Sequence, residues 1–283
     1  MGQRQSKQAG SPTGSIFIQN RVYDDGESLF PTDGMEIDRQ HAQSFVLKEA
    51  FGGAILPGAN ISLEKGFSVL DDLATDYPDV KCTGVGATNT CFPSTIRPKN
   101  VSFKTADVLQ GLPFDDESFD FVQMRLHIPK LRVDEWSRAI KEVARVTKHG
   151  GYIQMIEPNI RIATTDEIAK EIMSKLHSLM VEIKHDPNIF PKIPKLLDQA
   201  GAELASQKIA SIPIGWKNKT GDLMLENLRQ GLLATKLVVA PIFELDGDEY
   251  VNLVDDLVGR LQASKAAMNF YGFLGRKRCA DKN

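Results

Sequence analysis

Cysteine is scarce: Cys82, Cys91 and Cys279 are the only three in 283 residues, and no two of them form a CxxC. An odd, widely spaced set argues against a disulfide framework and a cysteine-based zinc site, and points to a reducing, cytoplasmic setting. Charge of one sign is not in excess either. Thirty-four Lys and Arg against 37 Asp and Glu leave a formal net charge of −3, so the basic footprint of a nucleic-acid binder is missing and no nucleic-acid partner is expected. Long apolar runs are absent as well. The longest, Gly231 to Phe243, is interrupted by Lys236 and Pro241 and falls short of the roughly 20 residues that cross a bilayer. There is no GxSxG to supply a serine nucleophile. None of His41, His127, His149, His177 and His185 belongs to an HExxH or stands beside a cysteine at ligand spacing, so no metal is expected. No repeat of about 20 to 50 residues is visible, which removes solenoids and propellers.

What remains is a chain that is 42% hydrophobic and 25% charged, enough to bury a real core. Its first fifteen residues, MGQRQSKQAGSPTGS, have almost nothing to bury and cannot repay their ordering entropy. Residues 1–30 are therefore read as a disordered tail and 31–283 as one domain. Met1-Gly2-x-x-x-Ser6 fits an N-myristoylation signal, the alternative being a polar tail that carries Gly2 and Ser6 by chance. Acylation at Gly2 would give weak, reversible contact of a cytoplasmic protein with a membrane surface, because Arg4 and Lys7 are too few for a second anchor.

Apolar spacing from Met35 predicts a helix that stops at Gly52-Gly53. Strand-length segments follow: FSVL from Phe67, KCTGVG from Lys81, VSFKTADV from Val101, FDFVQM from Phe119 and YIQMIE from Tyr152. Between the last two, VDEWSRAIKEVARV carries one helical face, with Gly150-Gly151 read as its stop. Strands alternating with helices imply a parallel sheet covered on both faces. Further on, Thr164-x-x-Glu167 reads as a capping box, ELASQKIASIP as a strand, DLMLENLRQGLLATKLVV as one helix, about 248–263 as the last helix, and AAMNFYGFLGRKR as an edge strand.

The stretch ADVLQGLPFDDESFDFVQMR puts Asp107 at a strand's carboxyl end, then a turn, then a new buried strand. In open α/β sheets ligands sit outside the carboxyl ends of the strands, so Asp107 and the Met124-Arg125 edge face one crevice. Together with DRQH from Asp38, FGG from Phe51, the LPF-D-FD-FV-MR block and RV-K-GG-EP ending at Pro158, this order resembles the class I S-adenosylmethionine-dependent methyltransferases, in particular a fungal group. The resemblance runs from about Met35 to Arg278 and includes Pro213-Ile214-Gly215-Trp216. It implies a Rossmann-like, doubly wound, three-layer α/β/α sheet of seven strands with the last antiparallel. It also implies S-adenosylmethionine as cofactor and an unidentified small-molecule methyl acceptor. By resemblance, Asp107 accepts a hydrogen bond from the adenine amino group, Val108 adds a backbone contact, Gln123 and Met124 flank the methyl donor, and Asp71 closes the first strand.

Two family features are missing. Asp71 runs straight into Asp72-Leu73-Ala74 where the family has a glycine-rich loop, a shortfall of about ten residues. Gly86 stands at the end of the second strand, where the family has an acidic partner for the ribose hydroxyls. GVGATN, Gly84 to Asn89, is no substitute loop: CFPSTIRPKN follows it, with two prolines where a helix would have to open, so it reads as strand end and loop. Only ten residues, Asp71 to Val80, cross to the second strand, so the first helix must be a stub or the first strand displaced. Two functional readings follow. One is a small-molecule methyltransferase with impaired donor binding; the other is a catalytically silent methyltransferase-like protein kept for interaction or membrane tethering, or a gene product missing an exon end. His127, just past the fourth strand, is the one catalytic candidate, against a purely structural loop histidine. Helical cover segments are expected within 34–60 and 158–236, over the acceptor.

Overall fold

The computed structural model describes residues 16–18, 21–23, 29–59, 61, 67–70, 78–86, 92 and 99–279. Gly2, Asp71 and Cys91 lie outside this set. A short antiparallel pair, β1 (Ile16–Ile18) and β2 (Arg21–Tyr23), opens the described chain. It falls inside the stretch read as a tail, so order begins earlier than residue 31. The reason is local: Tyr23 is buried and its hydroxyl donates to the Ala234 carbonyl, while Arg21 forks onto Asp33 at 2.5 and 3.0 Å. Asp33 in turn caps α1 (Gly34–Phe51) by accepting the Glu36 N–H, and Gly52 closes that helix in the left-handed region at φ 74°.

The sheet contains β3 (Ser68–Leu70), β4 (Lys81–Gly86), β5 (Val101–Thr105), β6 (Phe119–Arg125), β7 (Thr147–Pro158), β8 (Ala202–Pro213) and β9 (Ala267–Lys277). Their order is β5-β4-β3-β6-β7-β9-β8, with β3 to β7 parallel and β9 antiparallel to both neighbours. This is the expected seven-stranded α/β Rossmann-like sheet, its last strand antiparallel. The first strand is not displaced. Though three residues long, β3 pairs Ser68–Leu70 with Lys81–Thr83 on one side and Val69–Leu70 with Phe121–Val122 on the other. Asp120 holds it there, accepting the Ser68 N–H at 2.9 Å and an ion pair from Lys148.

Strand alternation sends side chains to two cores, which is why helices lie on both faces. One core gathers Val69, Phe121, Tyr152 and Phe270 beneath Val46, Leu47 and Phe51 of α1 and Leu257 and Leu261 of α7 (Gly247–Ala263). The other gathers Val122, Met124, Ile153, Met155 and Phe273 beneath α2 (Trp136–Val146) and α4 (Ile193–Gln199). Trp136 is fully buried in this second core, yet its indole N–H meets no acceptor among the described residues. Replacing it with phenylalanine keeps most of the packing and removes an unpaired donor. We expect Trp136→Phe to change unfolding free energy by no more than about 1 kcal/mol, read from the urea midpoint.

Several boundaries differ from the sequence reading. α2 ends at Val146 and passes directly into β7; the Gly150-Gly151 pair lies within that strand, where a Cβ on Gly151 would come 2.8 Å from the Asp120 carbonyl oxygen. α3 (Glu167–Glu182) is capped by Asp166, which accepts the Ala169 N–H, while Thr164 bonds Ser264 instead. The predicted single helix after Gly221 is two, α5 (Lys219–Ala234) and α6 (Lys236–Ile242), broken at Thr235. β9 is interior rather than an edge. Its Met268, Phe270, Phe273 and Leu274 are buried, and the edge falls to β8, where Leu204 and Ile209 are exposed.

The cover over the first core is locked by polar groups. Arg39 of α1 donates to Glu36 at 2.6 and 2.8 Å and to Asn227 of α5 at 3.1 Å, and Asn227 returns a bond to the Arg39 carbonyl. This gives the DRQH block a physical role. Arg39→Ala would leave the buried Glu36 side chain without its cationic partner and with the Gln40 amide still donating to it, and we expect a loss of about 2–3 kcal/mol in urea unfolding.

Candidate functional site

Strand order reverses between β3 and β6, and at such a switch point the chain connections leave in opposite directions and open a crevice outside the carboxyl ends. Four ends border it: Leu70 of β3, Gly86 of β4, Thr105 of β5 and Arg125 of β6. The GVG of β4 is strand, as its flanking prolines suggested. Gly84 is required there because a Cβ would sit 2.7 Å from the Phe103 ring. Asp71 and residues 87–91, which adjoin two of these ends, are not among the described residues.

The sequence-derived residues occupy different environments. Asp107 is exposed just after β5; its Oδ1 accepts the Leu109 N–H at 2.8 Å and its carbonyl accepts from Gln110, an Asx-type turn. Val108 is half-buried beside it, against the α2-side core. Gln123 points to the opposite face and accepts a hydrogen bond from Gln154 of β7. Met124 is buried in the α2-side core, so only its backbone is available to the crevice. The structure thus joins Gln123 to a network, leaves Asp107 in its own turn, and withdraws the Met124 side chain.

Two residues that the sequence reading passed over organise this edge. Gln154 is fully buried; besides Gln123 it bonds the Leu56 N–H at 2.7 Å and the Ala54 carbonyl at 2.8 Å, tying the segment after α1 to the sheet. Glu157, also fully buried, accepts the His127 N–H at 2.8 Å and the Ile128 N–H at 3.3 Å. The signal was present: Gln154 and Glu157 are polar residues in the otherwise apolar run YIQMIE, and polar groups in a strand with helices on both faces need a partner.

The turn they hold is strained. Leu126 has φ 59°, a left-handed conformation costly for a side chain with a Cβ. His127 follows, partly buried, with its Nδ1 closed from solvent and unpaired among the described residues. Burial, with help from the charges of Lys130 and Arg125, lowers the imidazole pKa to about 3, so the ring is neutral. Burial acts oppositely on Glu157, raising its carboxyl to about 8 against the two N–H bonds that favour the anion.

The LPF turn beside Asp107 is clamped from α2. Arg145 donates to the Leu112 and Phe114 carbonyls and to Asp116, and pairs with Glu142, which accepts the Leu112 N–H at 2.6 Å. An open groove of about 640 Å³ runs between residues 108–111 and α2. Its charged lining mixes Arg138 and Lys141 with Asp134 and Glu142, and of the sequence-derived residues only Val108 reaches it. Among the described residues, no three His, Cys, Asp or Glu side chains are grouped to hold a metal, and no helix is long and apolar enough to cross a membrane.

Comparison with known proteins bears on this geometry. A family model described as "Methyltransferase domain" matches residues 83–155, from β4 into β7. The N-methyltransferase verN of Clonostachys rogersoniana is 29% identical over 136 residues, 44% of this chain and 47% of that protein, so the match spans about half of the relative's length. The N-methyltransferase tcpN of Claviceps purpurea is 26% identical over 201 residues, 64% of this chain and 70% of that one. Among solved structures, phosphoethanolamine N-methyltransferase 2 of Haemonchus contortus, in complex with S-adenosyl-L-methionine, aligns with a TM-score of 0.49 at 16% identity, over 91% of this chain and 62% of that one. The sheet order is that of a Rossmann-like α/β fold, and in sequence this chain is similar to a methyltransferase domain across β4 to β7 and, over part of its length, to two fungal N-methyltransferases.

Proposed function

We propose that the chain methylates a nitrogen of a small molecule, using S-adenosylmethionine held weakly at the β3/β6 crevice. The observation that carries this reading is the pair of turns on one sheet edge: Asp107 with an exposed carboxylate after β5, and His127 with a neutral imidazole after β6. The nitrogen acceptor is taken from the two relatives, both named N-methyltransferases. The donor, when bound, supplies an electrophilic methyl group on a cationic sulfur. In this reading Asp107 accepts from the adenine amino group, the Val108 backbone lies beside it, and the ends of Gln123 and Met124 flank the methyl. A neutral His127 hydrogen-bonds the acceptor nitrogen and adds no positive charge beside the sulfonium, where an imidazolium would repel it. Alignment by such groups supplies much of the rate in a methyl transfer.

The described residues fit the donor in part. Gly86 offers no carboxylate to the ribose, which supports weak binding and favours the second reading, a catalytically silent relative kept for interaction. Calorimetry with S-adenosylmethionine and S-adenosylhomocysteine separates the two. Saturable binding by this chain supports the enzyme; no binding, even after a glycine-rich segment is inserted behind Asp71, rejects it. Reversible membrane contact through a myristoylated Gly2 is a separate proposal, and mass spectrometry showing an unmodified Gly2 from a competent host would dispose of it.

A further inference from the structure

The turn after β6 is held in a way that its own sequence does not explain. Leu126 takes a left-handed φ of 59°, its N–H bonds the Ile156 carbonyl at 3.0 Å, and the His127 carbonyl accepts from both Lys130 and Leu131 at 2.9 Å. A β-region φ at Leu126 would be cheaper by about 1–2 kcal/mol, so something outside the turn must fix it. The fully buried carboxyl group of Glu157, reaching over from the neighbouring strand, meets the two successive N–H groups that this conformation turns inward, those of His127 and Ile128, one at each oxygen. Burying a carboxyl group is costly, and the cost is offset here by two backbone N–H groups that would otherwise lack this acceptor.

We propose that Glu157 is the positioning residue of the crevice: by accepting the His127 and Ile128 N–H groups it holds the Leu126–Ile128 turn, and so the His127 imidazole, against the methyl-acceptor side. This rests on the methyltransferase reading for what the crevice binds, but not for the geometry. Glu157 is fully buried and touches no ligand itself; it acts through the turn. Glutamine is isosteric but can present one acceptor oxygen only, whereas leucine presents none.

The test is amide exchange and NMR on the full chain and on the Glu157→Gln and Glu157→Leu variants. In Glu157→Leu the His127 and Ile128 amides are expected to exchange about tenfold faster or more, while those of Ile153 and Met155 in β7 keep their protection. In Glu157→Gln only one of the two amides should lose protection, which carries the test if the leucine variant does not fold. The His127 ring resonances should also move in both variants, a change that a general loss of stability would not produce in the native state. Retained protection of both amides in Glu157→Leu, or of both in Glu157→Gln where only that variant folds, overturns the proposal. Saturating S-adenosylhomocysteine should shift the His127 and Ile128 resonances of the unmodified chain. Binding without such a shift places the turn away from the site and also overturns the proposal; absence of binding counts against the methyltransferase reading alone, and the amide result still decides the role of Glu157.

Discussion

Replacing Gly86 with aspartate is expected to tighten S-adenosylmethionine binding by about tenfold. A carboxylate at the end of β4 would accept hydrogen bonds from the ribose hydroxyls, and a hydrogen bond to a charged group contributes about 1.5–3 kcal/mol net, the lower figure applying at a half-exposed strand end. Inserting a glycine-rich segment behind Asp71 should add a larger gain, because it restores backbone N–H donors at the end of the first strand and lets the chain approach the ligand closely. The two changes touch one ligand and are expected to reinforce each other, giving more than about a hundredfold in the double variant. Asp107→Ala in that background should then cost about tenfold, through the loss of the adenine contact. Calorimetry on the starting chain and the four variants reads the five constants. A double variant no tighter than the starting chain would mean that this crevice does not take the donor at all.

Much of this edge was legible in the sequence, for reasons that can be assigned. The strand segments and α2 are clearly patterned, because each turns a defined face or both toward a core, and pattern is what burial imposes. Gly52 stopped α1 as expected, since the helix end needs a left-handed residue. What was not legible was set by partners distant in the chain. β9 looks like an edge strand from its terminal position and becomes an interior strand only because β8 folds back beside it. The stop of α2 was placed at a glycine pair that serves the close approach of β7 to β6 instead. Asp120 accepts the Ser68 N–H from fifty-two residues away and keeps a three-residue strand in register. Glu157 was visible only as the first half of an EP block, because its role depends on two N–H groups about thirty residues earlier.

The stability of the chain should be flat with pH between about 4.5 and 6.5 as far as Glu157 and His127 are concerned, and should fall on both sides. Glu157 is raised from 4.5 to about 8, so the folded state keeps a proton that the unfolded state loses; its contribution is full below about 4.5 and is lost as pH rises through 8. His127 is lowered from 6.5 to about 3, so the folded state refuses a proton that the unfolded state takes; its contribution is full above about 6.5 and is lost as pH falls through 3. Between 4.5 and 6.5 the two slopes, each at most about 1.4 kcal/mol per pH unit, oppose and cancel. Glu142, held down by its bond to Arg145, and His177, held down by burial, both add to the loss on the acid side. Single variants should unmask the cancelled slopes. Glu157→Gln leaves stability rising with pH up to about 6.5 and level beyond it, whereas His127→Gln leaves it falling from about 4.5 to 8. Urea unfolding of the three proteins at intervals from about pH 5 to 8 reads the signs directly, and parallel curves for all three would show that neither group is titrated by folding. Opposite slopes would show that folding titrates both the buried carboxyl and the neutral imidazole, each offsetting between about pH 4.5 and 6.5 the proton linkage that burial gives the other.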